Sequence, residues 1–383
     1  MRIQLNIGTM VLPAFGGCRL PPCLPENLHV RVPLSSMKQT DHCHVMMHRT
    51  SRKRTILGGL LACSLAFGGY TPADATPPLK AAAPLNPITE HVILFVLEGF
   101  SQDSLKSGAM PVLNKLVKEG SVTWSANAVQ PSLRLPMMAS LVTGLPVEKH
   151  GITWNSFEFS RGYPRAPSLF DYLDVGGGRD SAVFFMDESL YQLAKPAPYT
   201  DYQLCGALRP ECGPQKLVAY IQQYFQKAAS GHGYGHAVHA LPHLLVVHLP
   251  EAGRAGVSQG WNSKEYQQAL RTVDAAMKSV LDLFKHYNLL DRTTILVTAL
   301  STKGNDAGGE VTQAETPAVP WIVSGAGIAR GQVIRQPVSI IDTGATVMRM
   351  LQLETHTEWD SKVVEEIFQP ETATQPLLPT KKR

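Results

Sequence analysis

Residues 91–155 read HVILFVLEGFSQDSLKSGAMPVLNKLVKEGSVTWSANAVQPSLRLPMMASLVTGLPVEKHGITWN, and this stretch decides the fold. The unbroken apolar run from Val92 to Leu97 predicts a short strand buried on both faces, as in a parallel sheet. Glu98-Gly99-Phe100 then forms a turn at the strand's carboxyl end, the edge where parallel sheets present ligands. Met110, Leu113, Leu116 and Val117 follow at helical spacing, and a second strand is expected around Val122. The stretch closes on Leu141-Val-Thr-Gly-Leu-Pro146 and Glu148-Lys-His-Gly-Ile152. It has the organisation of one half of an active site.

The same alternation continues downstream. A helix is expected to start near Pro167–Leu173 and to stop at Gly176–Gly178, before a buried strand over 181–185. Further helices are expected over 215–228, 264–287 and 342–353, with strands over 244–247, 294–298 and 321–323. A last short element is expected over 363–368. The 264–287 helix is the clearest, because Leu270, Val273, Met277, Val280, Leu281 and Phe284 make one stripe. Strands alternating with helices imply an α/β fold: a mainly parallel central sheet with helices on both faces. One large domain over 88–370 accounts for them all, with 371–383 as a tail. Between 187 and 213 the period is lost while Pro, Tyr and Cys accumulate, which reads as an insertion.

The segment before this domain is different in kind. Residues 1–46 carry no sustained apolar period and read as an over-long start or as disordered chain. From Met47, a basic run (Arg49, Arg52, Lys53, Arg54) precedes an apolar stretch to Gly69 and the small-x-small site Ala73-Asp-Ala75. That is the pattern of a signal peptide over 47–75, followed by a Pro/Ala-rich linker over 76–87. Leu60-Leu-Ala-Cys63 also resembles a lipobox, which would make Cys63 an acylated residue and the membrane a partner. Either way the protein is expected to be exported, periplasmic or secreted. The formal net charge is +4, but the first 75 residues hold far more Lys and Arg than Asp and Glu. The remainder is close to neutral and offers no argument for nucleic acid binding.

Of the six cysteines, only Cys205 and Cys212 lie beyond Cys63. Two cysteines close together in a turn-rich loop of an exported chain predict a disulfide; free thiols are the alternative, and a zinc pair lacks two further ligands. His232, His236, His239 and His243 have helical spacing that would line up a metal site. Gly231, Gly233, Gly235 and Pro242 oppose a helix there, so a surface loop is expected instead.

Taken in order, the motifs resemble the alkaline phosphatase superfamily, in particular its type I phosphodiesterase/nucleotide pyrophosphatase branch, a sulfatase-like group. The resemblance rests on Leu97-Glu-Gly-Phe100, Pro111-Val-Leu113 through Glu119-Gly120, Leu141 to Ile152, Ser263-x-Glu265-Tyr266, Val273-Asp274, Val319-Pro320, Gly325-x-Gly327-Ile328 and Ile341-Asp342. It implies an alkaline phosphatase-like αβα sandwich. It also implies chemistry run by two zinc ions and a threonine or serine nucleophile.

Carried over residue by residue, that chemistry is missing. The first metal-ligand aspartate falls on Glu98. The nucleophile falls on Arg134, and the asparagine expected after the following proline is Met137. An Asp/His ligand pair falls on Gly253 and Val257, a second pair on Leu300 and Ser301, and the last histidine on Glu310. Gly, Val and Leu offer zinc no donor, and zinc needs about four. Arg134 adds a permanent cation where nucleophile and metal belong. No cofactor is therefore expected. The resemblance implies a catalytically inactive pseudoenzyme with a binding or structural role, its pocket filled by a Glu98–Arg134 ion pair or by Arg134 holding an anionic molecule. An envelope protein is the other expected partner. Two other readings stand beside it. One is a phosphoric or sulfuric ester hydrolase rebuilt from Glu98, Asp103, Glu251, Glu310, His248 and the 232–243 histidines. The other is a transferase-like relative acting on envelope sugars or lipids. His150, Trp154, Trp261 and Trp359 are read as structural.

Overall fold

In the computed structural model, residues 89–195, 202–203, 212–230, 241–303 and 318–369 are described. The expectations for residues 1–87, for Cys205, for His232, His236 and His239, and for Glu310 fall outside them. No helix among the described residues is long and apolar enough to cross a membrane.

The described strands are β1 (His91–Leu97), β2 (Ser121–Asn127), β3 (Ser181–Phe184), β4 (Tyr202–Gln203), β5 (Leu244–Leu249), β6 (Thr293–Ala299), β7 (Ala318–Gly325) and β8 (Gln332–Val333). They form one sheet in the order β4-β3-β5-β1-β6-β7-β2-β8. Only β7 runs against its neighbours, β6 and β2; every other pairing is parallel. The expected mainly parallel α/β sheet is the one observed. β1 sits inside it, paired to β5 and β6, and all of its residues are buried.

The described helices are α1 (Gln102–Lys106), α2 (Pro111–Glu119), α3 (Arg134–Thr143), α4 (Val147–His150), α5 (Leu169–Gly177), α6 (Pro214–Ala229), α7 (Glu251–Gln259), α8 (Lys264–His286) and α9 (Asp342–Met350). Side chains of α3, α5 and α9 share one core with Val92, Leu94 and Val96. Those of α2, α6 and α8 share the other with Ile93, Phe95 and Leu97. Successive β1 residues thus feed opposite cores, as the strand's period of two requires.

Three elements position the site. α8 is amphipathic as expected, and its Asp274 accepts hydrogen bonds from Val112 N and Leu113 N at 3.0 and 2.9 Å. These are orphan amides of the first turn of α2, so the longest helix anchors the shorter one. α3 lacks an amphipathic period because it is buried on every side from Leu135 to Thr143, the behaviour of a helix apolar all round. Pro136 is tolerated in its first turn, and Gly144 ends it at φ 63°, the left-handed C-cap. The third element is the segment that follows β3. A 3-10 turn over Glu188–Gln192 leaves Leu190, Leu193 and Ala194 buried in the α3 core, and β4 extends the sheet beside β3.

Candidate functional site

The carboxyl end of β1 delivers Glu98. Val96 pairs with His248 of β5, and Glu98 lies two residues further along the same face. The register therefore brings Glu98 against His248, and His248 Nε2 lies 2.8 Å from Glu98 Oε1. Both side chains are buried, at 2% and 0% exposure. From the opposite side comes Arg134, the first residue of α3. Its Nε donates to Glu98 Oε1 at 2.5 Å and its Nη2 to Glu98 Oε2 at 2.9 Å, a side-on bidentate pair. Its third nitrogen, Nη1, lies 3.1 Å from Asp187 Oδ2. Arg254 of α7 reaches the same Asp187 oxygen at 3.4 Å, donates to the Met186 carbonyl at 2.7 Å and lies 4.0 Å from Glu251 Oε1.

A cation at a helix N-terminus opposes the helix dipole. Two carboxylates offset this for Arg134, while Asn155 Oδ1 accepts from Leu135 N at 2.9 Å and satisfies an orphan amide of the same turn. Burial alone would push the Glu98 carboxyl up. Hydrogen bonds from His248 and then from Arg134, with the guanidinium's charge, hold it down at about 2. Burial lowers the His248 imidazole and outweighs the pull of Glu98. Neutral His248 beside ionised Glu98 carries its proton on Nε2 and donates it, which leaves Nδ1 as a buried acceptor without a partner. Burial likewise lowers the tendency of Glu251 to ionise and raises its carboxyl to about 7, and its Oε2 is buried without a partner.

Of the other carried-over positions that are described, Gly253, Leu300 and Ser301 serve packing and backbone hydrogen bonds. Gly253 lies against the Glu98–Gly99 turn: a Cβ on Gly253 would stand 2.9 Å from Glu98 Cβ, and one on Gly99 would stand 2.5 Å from Gly253 backbone. Leu300 is fully buried in the α3 core. Ser301 accepts from Gly99 N at 2.9 Å through Oγ, and Tyr266 donates to Gly99 O at 2.8 Å. Val257 is 50% exposed, so the structure does not gather it into the cluster.

The rebuilt-site candidates divide as well. Glu98, Glu251 and His248 meet here. Asp103 does not: it is exposed and paired with Lys106. Nor does His243, which precedes β5 at its amino end, stacked on His91. Six residues of strand, about 20 Å, separate that end from the site. His150 is structural as expected, bonded to Ser140 Oγ at 2.9 Å. Asp187 and Arg254 escaped the reading of the sequence, where Asp187 was the edge of an irregular segment and Arg254 only a spacer between carried-over positions. The one available signal was that Asp187 follows the carboxyl end of a strand.

This donor set does not suit a two-zinc centre. Among the described residues, no group of three or more His, Cys, Asp or Glu side chains is arranged to hold a metal. The carboxylates nearest the position are bound to a fixed guanidinium, which repels a cation.

The family model for type I phosphodiesterase / nucleotide pyrophosphatase matches residues 92–299, more than half of the chain. Human ectonucleotide pyrophosphatase/phosphodiesterase family member 1 is 27% identical over 217 residues, 52% of this chain and 22% of that protein. Mouse GPI ethanolamine phosphate transferase 1 is 22% identical over 268 residues, 64% of this chain and 27% of that protein. The chain thus spans about a quarter of the length of these curated relatives. Among solved structures, human ectonucleotide pyrophosphatase / phosphodiesterase 5 superposes with a TM-score of 0.56 at 12% identity, covering 73% of this chain and 100% of that one. The phosphonate monoester hydrolase of Silicibacter pomeroyi gives 0.50 at 13%, covering 74% and 78%. At these identities the structural matches establish the fold.

Proposed function

The chain belongs to the type I phosphodiesterase / nucleotide pyrophosphatase family, and from that premise we propose that it is an exported member without the family's ester-cleaving chemistry, its scaffold kept for a binding or structural role. The observation that carries this reading is Arg134, fixed by both edges of its guanidinium to Glu98 and Asp187 at the position the resemblance assigns to the nucleophile. A guanidinium is neither a nucleophile nor a zinc ligand, and it remains charged at any working pH. With Nε, Nη1 and Nη2 all directed at carboxylates, Arg134 fills the pocket rather than awaiting an anion. The ligand or partner then binds elsewhere on the scaffold.

Purified exported protein, analysed for metal and assayed with bis(4-nitrophenyl) phosphate, 4-nitrophenyl phosphate and 4-nitrophenyl sulfate, tests this. The expected result is zinc well below one ion per chain and no turnover above a Glu98→Gln control. Two zinc ions per chain, or turnover that Glu98→Gln abolishes, would overturn it.

One observation favours a hydrolase with a rebuilt site instead. Glu251 is a buried carboxyl held at about 7 beside Glu98, the setting expected of a general acid–base. That reading requires turnover lost in Glu251→Gln, and the same assays decide it.

A further inference from the structure

An aromatic loop joins α4 to α5 on the α3 side of the sheet; its residues 153–167 read TWNSFEFSRGYPRAP. Its base is fixed. Asn155 satisfies an amide of the first turn of α3, Trp154 packs against the α3 core, and Glu158 N donates to Gln192 Oε1 at 2.9 Å in the turn after β3. The Gln192 side chain also donates to the Gly162 carbonyl. Its tip is apolar and in water. Phe159 opens a 3-10 turn over Phe159–Arg161 and is 89% exposed, with Phe157 at 38% and Tyr163 at 46%. Glu158 is extended, at φ −126° and ψ 96°, so Phe157 and Phe159 project to one side of the chain and Glu158 to the other. On that other side the Glu158 carboxylate is bound to Arg161, whose guanidinium lies 4.3 Å from the centre of the Trp154 ring.

We propose that this loop is a membrane contact: Phe157 and Phe159 enter the interfacial layer of a bilayer, and Arg165 meets its anionic headgroups. The proposal names the partner of the binding scaffold inferred above and rests on the reading of an exported chain whose binding surface lies outside the Arg134 pocket. The chemistry of the loop favours a lipid surface over a protein partner. Its two phenyl rings carry no polar atom, so no hydrogen bond orients them, whereas protein interfaces concentrate their energy in Trp, Tyr and Arg. Phenyl rings on one side of the chain, with arginine and tyrosine beside them, are the residue types of a membrane–water boundary. The loop holds two arginines and a single carboxylate, Glu158, which Arg161 neutralises. The remaining charge is positive and sits on exposed Arg165, and a basic residue near an anionic leaflet strengthens attachment. Only side chains need to enter, so the backbone keeps its hydrogen bonds and its water. Two phenyl rings bury less apolar surface than one myristoyl chain, so association stays below that chain's roughly 10⁴ M⁻¹ and is readily reversed.

Cosedimentation with lipid vesicles tests this, using purified exported protein that carries Cys63→Ser so that no acyl chain contributes. Vesicles of phosphatidylcholine mixed with phosphatidylglycerol are expected to bind the protein, and vesicles of phosphatidylcholine alone to bind it several-fold more weakly. Phe159→Ser should weaken binding about tenfold in a protein of unaltered melting temperature, because that ring is in water. Arg165→Gln should weaken binding to the mixed vesicles several-fold at low salt and leave binding to the neutral ones unchanged. A nitrobenzoxadiazole fluorophore on Ser160→Cys reads the loop itself, and its emission should shift to the blue when mixed vesicles are added. Absence of binding to the mixed vesicles, binding that Phe159→Ser leaves intact, or an unshifted loop fluorophore would each overturn the proposal. Self-association that Phe159→Ser reverses, without vesicle binding, would also overturn it and assign the rings to a second copy of the chain. Failure in these assays leaves the reading of Arg134 standing, because metal content and ester turnover are what test that reading.

Discussion

Arg134 concentrates the charge interactions of the site in one side chain. Replacing it with Met keeps much of its length but strands Glu98 as a buried charge whose remaining hydrogen-bond partner is a neutral imidazole. Removing one member of a buried pair typically costs about 3–5 kcal/mol. Urea unfolding of Arg134→Met is expected to show a loss of that order, and the Glu98→Gln/Arg134→Met double variant should recover part of it. A loss below about 1 kcal/mol, as for an exposed pair, would mean the network does not lock the pocket. The pH dependence follows from the two shifted carboxyls. Glu98 is depressed to about 2, so its stabilisation is complete above the ordinary glutamate range and is lost as pH falls from about 4.5 toward 2. Glu251 is raised to about 7, so its contribution is complete below about 4.5 and disappears as pH rises through 7. Each shift corresponds to about 3 kcal/mol. Glu251→Gln should therefore gain stability over wild type at pH 8 and match it near pH 5, read by urea titration at both values. Equal effects at the two pH values would place the Glu251 carboxyl in water.

At the scale of elements, α7 explains why the position that the resemblance assigns to a metal ligand has no room for one. Gly253 lets the helix backbone approach the Glu98–Gly99 turn, and any side chain there meets Glu98 Cβ at 2.9 Å. Gly253→Ala is expected to cost about 1–3 kcal/mol through overpacking. Gly253→Asp, which restores the identity the resemblance implies, should cost more, because it adds a carboxylate beside ionised Glu98. Thermal melts of the two variants check this, and an aspartate variant as stable as wild type would show that the turn retains room for a ligand. The same helix marks the limit of what the sequence revealed. The resemblance, anchored partly on the glycines of α7, assigns the acidic position to Gly253, yet the carboxylate that feels Glu98 is Glu251, two residues earlier. Glycine spacing records where backbones touch, not which neighbouring side chain turns inward. β1 and α8 were legible because an apolar run and a 3.6-residue stripe are local signals. α3 was not, because a helix buried on all sides has no stripe. Glu98 and Arg134 were found through the motifs around them, whereas Asp187 and Arg254 join the site only through tertiary contacts with no local pattern.

For the whole molecule, the sheet order predicts how stability is distributed. β1 is flanked by β5 and β6, covered on both faces, and tied at its carboxyl end to α3, α7 and the turn after β3 through Glu98 and Arg134. β8 is a two-residue edge strand paired, among the described residues, only to β2, and its Val333 is exposed. Central strands with two cores open only when both cores open, whereas edges open locally. Amides of Val92–Leu97 should therefore exchange with the urea dependence of global unfolding, and those of Gln332–Val333 with almost none. Arg134→Met separates the ion network from the scaffold in the same experiment. If the network serves to hold α3 against the end of β1, amides in the first turns of α3 should lose protection well beyond the global change, while β1 continues to follow global unfolding. If β1 and α3 lose protection together by the same free energy, the ion pair stabilises the fold as a unit. Local loosening of α3 alone would identify the edge that carries Arg134 as a separately opening part of an otherwise rigid sandwich.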